Sequence, residues 1–146
     1  MLRSDYNVNE KVPRRVSTSP TGLFSDIPIE FISHPQTKDI RPITDIQAVR
    51  QAVKILVLTG ITDRPFRPDL GGNVAAYLFE NATQITALSI RDEIIRILDR
   101  NEPRISDTDV HVDLDPDRNQ LLVTITFQIR GTQNNTEVSF YLDRIR

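Results

Sequence analysis

Glu80, Glu93 and Glu102 are the carboxylates that could form an acid–base pair of the glycosidase kind. Such a pair needs a cleft and one member with a raised pKa, and the sequence signals neither. The only histidines are His34 and His111. His111 stands among Asp109, Asp113 and Asp115, a cation site on paper. Strand alternation puts His111, Asp113 and Asp115 on the face opposite Val110 and Val112, where solvent is the natural neighbour. With no cysteine, disulfides, thiolate catalysis and Cys-held metals are excluded. No Gly-x-Ser-x-Gly elbow occurs. Gly71-Gly72-Asn73 precedes a helical pattern and could hold an anion. It lacks the lysine and spacing of a phosphate loop, so loop closure and capping fit it better. No catalytic residue, metal ligand or cofactor is assigned.

Two other groups are suited to contact rather than catalysis. In Asp63-Arg64-Pro65-Phe66-Arg67-Pro68, arginines and prolines alternate around one aromatic. Proline lowers the entropy cost of ordering such a loop, and arginine with phenylalanine is typical of interface anchors. The alternative is a surface loop with Phe66 tucked onto the core. The second group is Glu102-Pro103-Arg104, which closes the longest helical pattern. Proline cannot continue that helix and biases Glu102 away from the α region. An acid and a base are held on either side of a rigid corner, as punctuation or as a charged knob that a partner reads.

The elements that position these residues follow from periodicity. Ile27, Ile29 and Phe31 alternate with Pro28 and Glu30, which predicts a short strand at a sheet edge or strand start. A turn-rich stretch follows to Pro42. Thr44-Asp45-Ile46-Gln47 is a capping-box pattern. Ile46, Val49, Val53, Leu56 and Val57 then share one face of a helix over about 45–58. Residues 61–72 form a long loop. Asn73 can cap a short helix over 74–80, and Thr83 the long helix that runs to Asn101. The long helix carries a broad stripe: Ala87/Leu88, Ile90, Ile94/Ile95 and Ile97/Leu98.

After the corner the period becomes two. Val110, Val112 and Leu114, then Leu121, Val123, Ile125, Phe127 and Ile129, then Val138, Phe140 and Leu142 alternate with polar neighbours. The turns are Asp115 to Asn119 and Gly131 to Asn135. Three strands in hairpin register with one buried face make an antiparallel meander that helices must cover. The predicted class is α+β, with about four strands packed on two to three helices. The last strand, carrying Val138, Phe140 and Leu142, is the candidate free edge, with unpaired backbone groups open to another chain.

The 146 residues fit one domain, over 26–146, preceded by a polar arm over 1–25 that is disordered or orders on a neighbour. The net charge of −2 and pI near 5.7 argue against bulk nucleic-acid binding. Residues 1–20 contain Arg3, Arg14 and Arg15 but no apolar h-region, so no signal peptide is expected there. No apolar run approaches the ~18 residues of a membrane span.

Taken in order, four pieces resemble the baseplate wedge proteins of contractile phage tails. That family was once called lysozyme-like and includes the sheath initiator of type VI secretion and related injection systems. The pieces are the helix from Ile46 to Thr59, the loop from Arg64 to Gly71, Leu78-Phe79-Glu80, and Glu102-Pro103-Arg104, with alternating strands after them. Together they span 27–142. The family often reads Gly-Glu-Arg at the loop start, where Thr62-Asp63-Arg64 stands here. The resemblance implies a structural part and not an enzyme. It implies a place in the virion's tail baseplate, assembled in the host cytoplasm. Its expected partners are baseplate wedge core proteins and the tail sheath protein, with tube or hub proteins as further neighbours and neither nucleic acid nor membrane. It implies docking through Glu102, Pro103 and Arg104, and Arg64, Phe66 and Arg67 of the arginine–proline loop are the further contact residues read from that loop's composition. It also implies sheath nucleation through the last strand. The rival reading is a peptidoglycan-degrading glycosidase using the paired carboxylates; a free-standing small-molecule binding domain is a weaker third.

Overall fold

The three alternating runs after residue 104 pair as a meander. The structure, a computed structural model, describes residues 24–81, 83–115, 120–132 and 134–143. Numbered along the chain, the elements are β1 (Ser25–Asp26), β2 (Ile43–Thr44), α1 (Ile46–Leu58), α2 (Val74–Tyr77), α3 (Gln84–Asn101), β3 (Ile105–Asp115), β4 (Gln120–Ile129) and β5 (Asn135–Asp143). The main sheet has the order β3-β4-β5, all antiparallel, and β1 pairs with β2 in a separate ribbon. The α+β class is as expected. The expected sheet of about four strands is instead a three-stranded sheet and a two-stranded ribbon.

One face of the meander is buried because its alternation is unbroken. On β4 every second residue from Leu121 to Ile129 is buried. Val110, Val112 and Leu114 of β3 and Val138, Phe140 and Leu142 of β5 stand beside them in register. α3 packs on β3 and α1 lies against β5. Phe127, Ile90, Ile94, Leu98 and Val53 lie in the resulting core, and each is essentially inaccessible. At about 25 cal/mol per Å² of apolar surface, burial of each such side chain stabilises the fold by about 1.5–3 kcal/mol.

α3 begins where Thr83 predicts: its Oγ1 accepts from the Thr86 N–H at 3.2 Å. α1 departs from the capping-box expectation. Its N-cap is Asp45, in a positive-φ conformation and without a side-chain cap bond. The Asp45 carboxylate instead accepts from the Phe24 N–H, at 3.4 Å, and so ties β1 to the start of α1.

The strand expected over Ile27–Phe31 does not form; only Ser25–Asp26 pair, with Ile43–Thr44. Pro28 has no N–H to give a ladder, and Phe31 sits at φ 49°. The Gln51 side chain of α1 acts as the strand mate, accepting from the Ile29 N–H at 3.1 Å and donating to the Ile27 carbonyl at 2.8 Å. Ile27, Ile29, Phe31 and Ile32 are left exposed. The arm expected over 1–25 lies, apart from Phe24 and Ser25, outside the described residues, as does most of the turn expected over 115–119.

Register also assigns the main-chain groups at the sheet edges. The Arg130 N–H donates to the Arg104 carbonyl at 2.9 Å, and Arg91 Nε donates to the Val110 carbonyl from outside the sheet at 3.1 Å. Hydrogen-bonding direction alternates along an antiparallel strand. Thr124 and Thr126 of β4 therefore turn toward β3, and Val123 and Ile125 toward β5. The outward groups on β3 are those of Val110, Val112 and Leu114. On β5 they are those of Glu137, Ser139 and Tyr141.

Candidate functional site

The C-terminal end of α3 carries both expected contact groups. Its last turn leads into the corner, because the Glu102 N–H still donates to the Leu98 carbonyl at 2.9 Å before Pro103 ends the helix. The Glu102 carboxylate is only 4% exposed. It folds back on Arg104, accepting from Nε and Nη2 in two parallel bonds of 2.6 Å and from the main-chain N–H at 3.3 Å. Arg104 is partly exposed, with its guanidinium 5.5 Å from the centre of the Phe24 ring. The bond to Glu102 raises the Arg104 pKa above the ordinary arginine value. Burial opposes that rise, and the Glu102 and Asp26 charges add to it. The corner is thus an internal clasp, with exposed Pro103 at its tip. Arg104 keeps donors beyond the two that Glu102 takes.

The arginine–proline loop is fastened to the same end of α3. Arg100 donates to the Asp69 carbonyl, and Arg67 faces Asp69 at 3.6 Å. Asp63 accepts from the Gly60 N–H at 2.8 Å, so this shorter acid closes the loop on itself. Gly72 donates to the Thr59 carbonyl at 3.1 Å. A side chain at Gly71, at φ 91°, would meet that same carbonyl at 2.2 Å. Phe66 is not tucked onto the core: it is 96% exposed, with Arg64 and Arg67 also exposed beside it.

Residues 44–134 match the model of the family described as baseplate wedge protein gp25. The chain belongs to that family. Baseplate wedge protein gp25 of Enterobacteria phage T4 is 29% identical over 115 residues, covering 79% of this chain and 86% of that protein. Solved structures share the fold. A protein from Geobacter sulfurreducens described as a candidate tail lysozyme superposes with TM-score 0.64 at 22% identity, over 68% of this chain and 91% of that one. A chain of the type VI secretion system baseplate complex gives TM-score 0.53 at 16% identity, over 67% and 93%. A chain of the anti-feeding prophage baseplate gives 0.53 at 18%, over 81% and 83%. At these identities the likeness to solved structures is one of fold.

In this wedge-family chain the carboxylates of the rival reading have structural partners. Glu93, buried at mid-helix, accepts from the Asn73 N–H at 3.1 Å and pairs with Arg96. It pins the end of the long loop to α3, a role that sequence reasoning missed. The signal was the neighbouring Gly72, where a side chain would strike Ile97 and Glu93. Glu102 is held by Arg104, and Glu80 lies beyond α2, exposed at the surface. His111 and Asp113 meet at 3.0 Å on the exposed sheet face. No group of three or more metal-ligating side chains occurs among the described residues, and none of their helices is long and apolar enough to cross a membrane.

Among the described residues, β5 pairs on one side only, with β4. The side chains of Phe140 and Leu142 are buried and that of Val138 is half-buried. Their main-chain groups face β4, and the open ladder belongs to Glu137, Ser139 and Tyr141, which the apolar pattern did not single out.

Proposed function

We propose that this chain is a structural part of the tail baseplate in a phage or related injection system. In this reading it docks on the wedge core through the corner at Pro103 and Arg104, with Arg64, Phe66 and Arg67 as flanking contacts. It then presents the free edge of β5 to the sheath, whose extended segments add by main-chain pairing. Assembly takes place in the host cytoplasm, before the tail is complete.

The observation that carries the reading is the clasp between Glu102 and Arg104. It spends two charged residues on fixing the direction of an exposed proline and a half-exposed guanidinium, where catalysis would need a carboxylate left free in a cleft. A preset group of this kind binds with little ordering cost.

The test is co-assembly of a Pro103→Glu variant with the wedge proteins of the same tail. Pro103 is exposed, so the variant keeps its fold by circular dichroism. It is expected to drop out of the complex; full incorporation would remove the corner from the docking surface. A turbidity assay on purified cell wall separates the rival glycosidase reading. Clearing that disappears in Glu80→Gln or Glu93→Gln would overturn the structural one.

A further inference from the structure

The outer face of the main sheet, turned away from the helices, is acidic. Register sets Asp109 beside Thr126 and Glu137 in one cross-strand row, and Asp113 beside Leu122 and Tyr141 in another. All three carboxylates are exposed. Arg91 faces Asp109 from α3 at 3.6 Å, and the His111 ring meets Asp113 at 3.0 Å. No lysine or arginine stands on this face among the described residues of β3, β4 and β5. Leu122 is half-buried and Tyr141 is 58% exposed, so an apolar strip runs beside the charges. The sequence ahead of Phe24 has the opposite sign: Arg3, Lys11, Arg14 and Arg15 stand against Asp5 and Glu10. Phe24 marks where that segment joins the fold. Its ring lies 5.5 Å from the Arg104 guanidinium, and the Arg104 carbonyl accepts from the Arg130 N–H where β3 begins and β4 ends.

We propose that Lys11-Val12-Pro13-Arg14-Arg15-Val16 lies across this face of its own chain as a tethered basic strap. Reach allows it. Arg15 is nine residues before Phe24 and Lys11 thirteen, spans of up to ~30 and ~43 Å at ~3.3 Å per residue. From Ile105, Asp109 and Asp113 lie ~13 and ~26 Å along β3. Arg14 and Arg15 therefore meet the row of Asp109 and Glu137, and Lys11 reaches Asp113. Val12 and Val16 are small enough to lie on Leu122 and Tyr141. Pro13 has no N–H to give, which suits contact through side chains on a face and not a main-chain ladder at an edge. Each exposed ion pair is weak. The tether compensates by holding the basic residues at an effective concentration of the order of millimolar. The contact is thus one that salt loosens. The strap is independent of docking through the corner or through β5.

The chain has no cysteine, so Val16→Cys accepts a single nitroxide label on the full chain. Broadening of amide signals in the magnetic-resonance spectrum then maps what the strap lies on. It is expected to be strongest at Leu122, Thr124 and Ser139 and weak on α1, and to fall to the α1 level in about 0.5 M salt. Arg14→Glu with Arg15→Glu should abolish it. Asp113→Lys with Glu137→Lys, at exposed sites that leave the fold intact, should do the same. Joining the two reversals should restore it, which neither a misfolded chain nor a merely adhesive face would do. Mixing labelled chain with isotope-enriched chain that bears no label tests a second copy as the source. Broadening between molecules as strong as within one would assign the strap to a neighbouring copy and overturn the proposal. Broadening no stronger on the sheet face than on α1, unchanged by either reversal, or not restored by joining them would overturn it too.

Discussion

Arg104 grips Glu102, two residues before it, through parallel bonds from Nε and Nη2. The carboxylate is buried and the guanidinium half-exposed, so removing the arginine is not a pure surface change. Arg104→Ala strands a buried charge and should cost about 3 kcal/mol by urea denaturation. Arg104→Lys should cost less but not nothing, because an ammonium cannot make the two parallel bonds. The double variant Glu102→Gln with Arg104→Met leaves no buried charge and should be more stable than Arg104→Ala alone. Loss of assembly in Arg104→Ala therefore reports docking only when read beside the stability of the variant.

Gly72 lies where the long loop meets α3. A methyl group there would stand 2.0 Å from Ile97 Cδ1 and 2.9 Å from Glu93 Oε1. Gly72→Ala should destabilise the chain by about 1–3 kcal/mol, since both neighbours belong to a packed core. Thermal unfolding gives the measurement, with about 4 °C expected per kcal/mol for a domain of this size.

Much of this arrangement was legible in the sequence where its cause is local. Thr83 caps α3 by a bond three residues away, Pro103 stops it, and the alternation from Leu121 to Ile129 fixes the buried face of β4. Three features were hidden because their causes lie far along the chain. Gln51 replaces a strand partner for Ile27 and Ile29, which turned an expected strand into an exposed apolar segment. Glu93 reads as one more candidate acid–base carboxylate until Asn73 is folded over it. The open main-chain groups of β5 depend on register across two hairpins, so the apolar residues Val138, Phe140 and Leu142 marked an edge strand while Glu137, Ser139 and Tyr141 carry its open side.

Phe66 is exposed at the tip of a loop that is anchored at both ends. Phe66→Ala should leave stability within about 0.5 kcal/mol of the parent. If the loop anchors a partner, the same change should weaken co-assembly by about 2 kcal/mol, roughly 30-fold. A titration by sedimentation velocity would show both the complex and the free chain. A variant that is stable and assembles normally would assign the loop no part in docking.

Ser139 lies in the middle of the open side of β5. Ser139→Pro removes an outward N–H without taking a bond from β4, so the chain should remain folded. Sheath polymerisation on assembled baseplates, followed by electron microscopy, should then start less often. Normal sheath initiation from Ser139→Pro baseplates would move the contact to another edge.

The most direct test of the docking account is amide exchange on the unaltered chain, free and in complex with the wedge proteins of its own tail. The account predicts added protection at residues 102–104 and in the loop at 64–67, with the outward amides of β5 staying exchangeable until sheath is added. Unchanged exchange at the corner within a formed complex would contradict it.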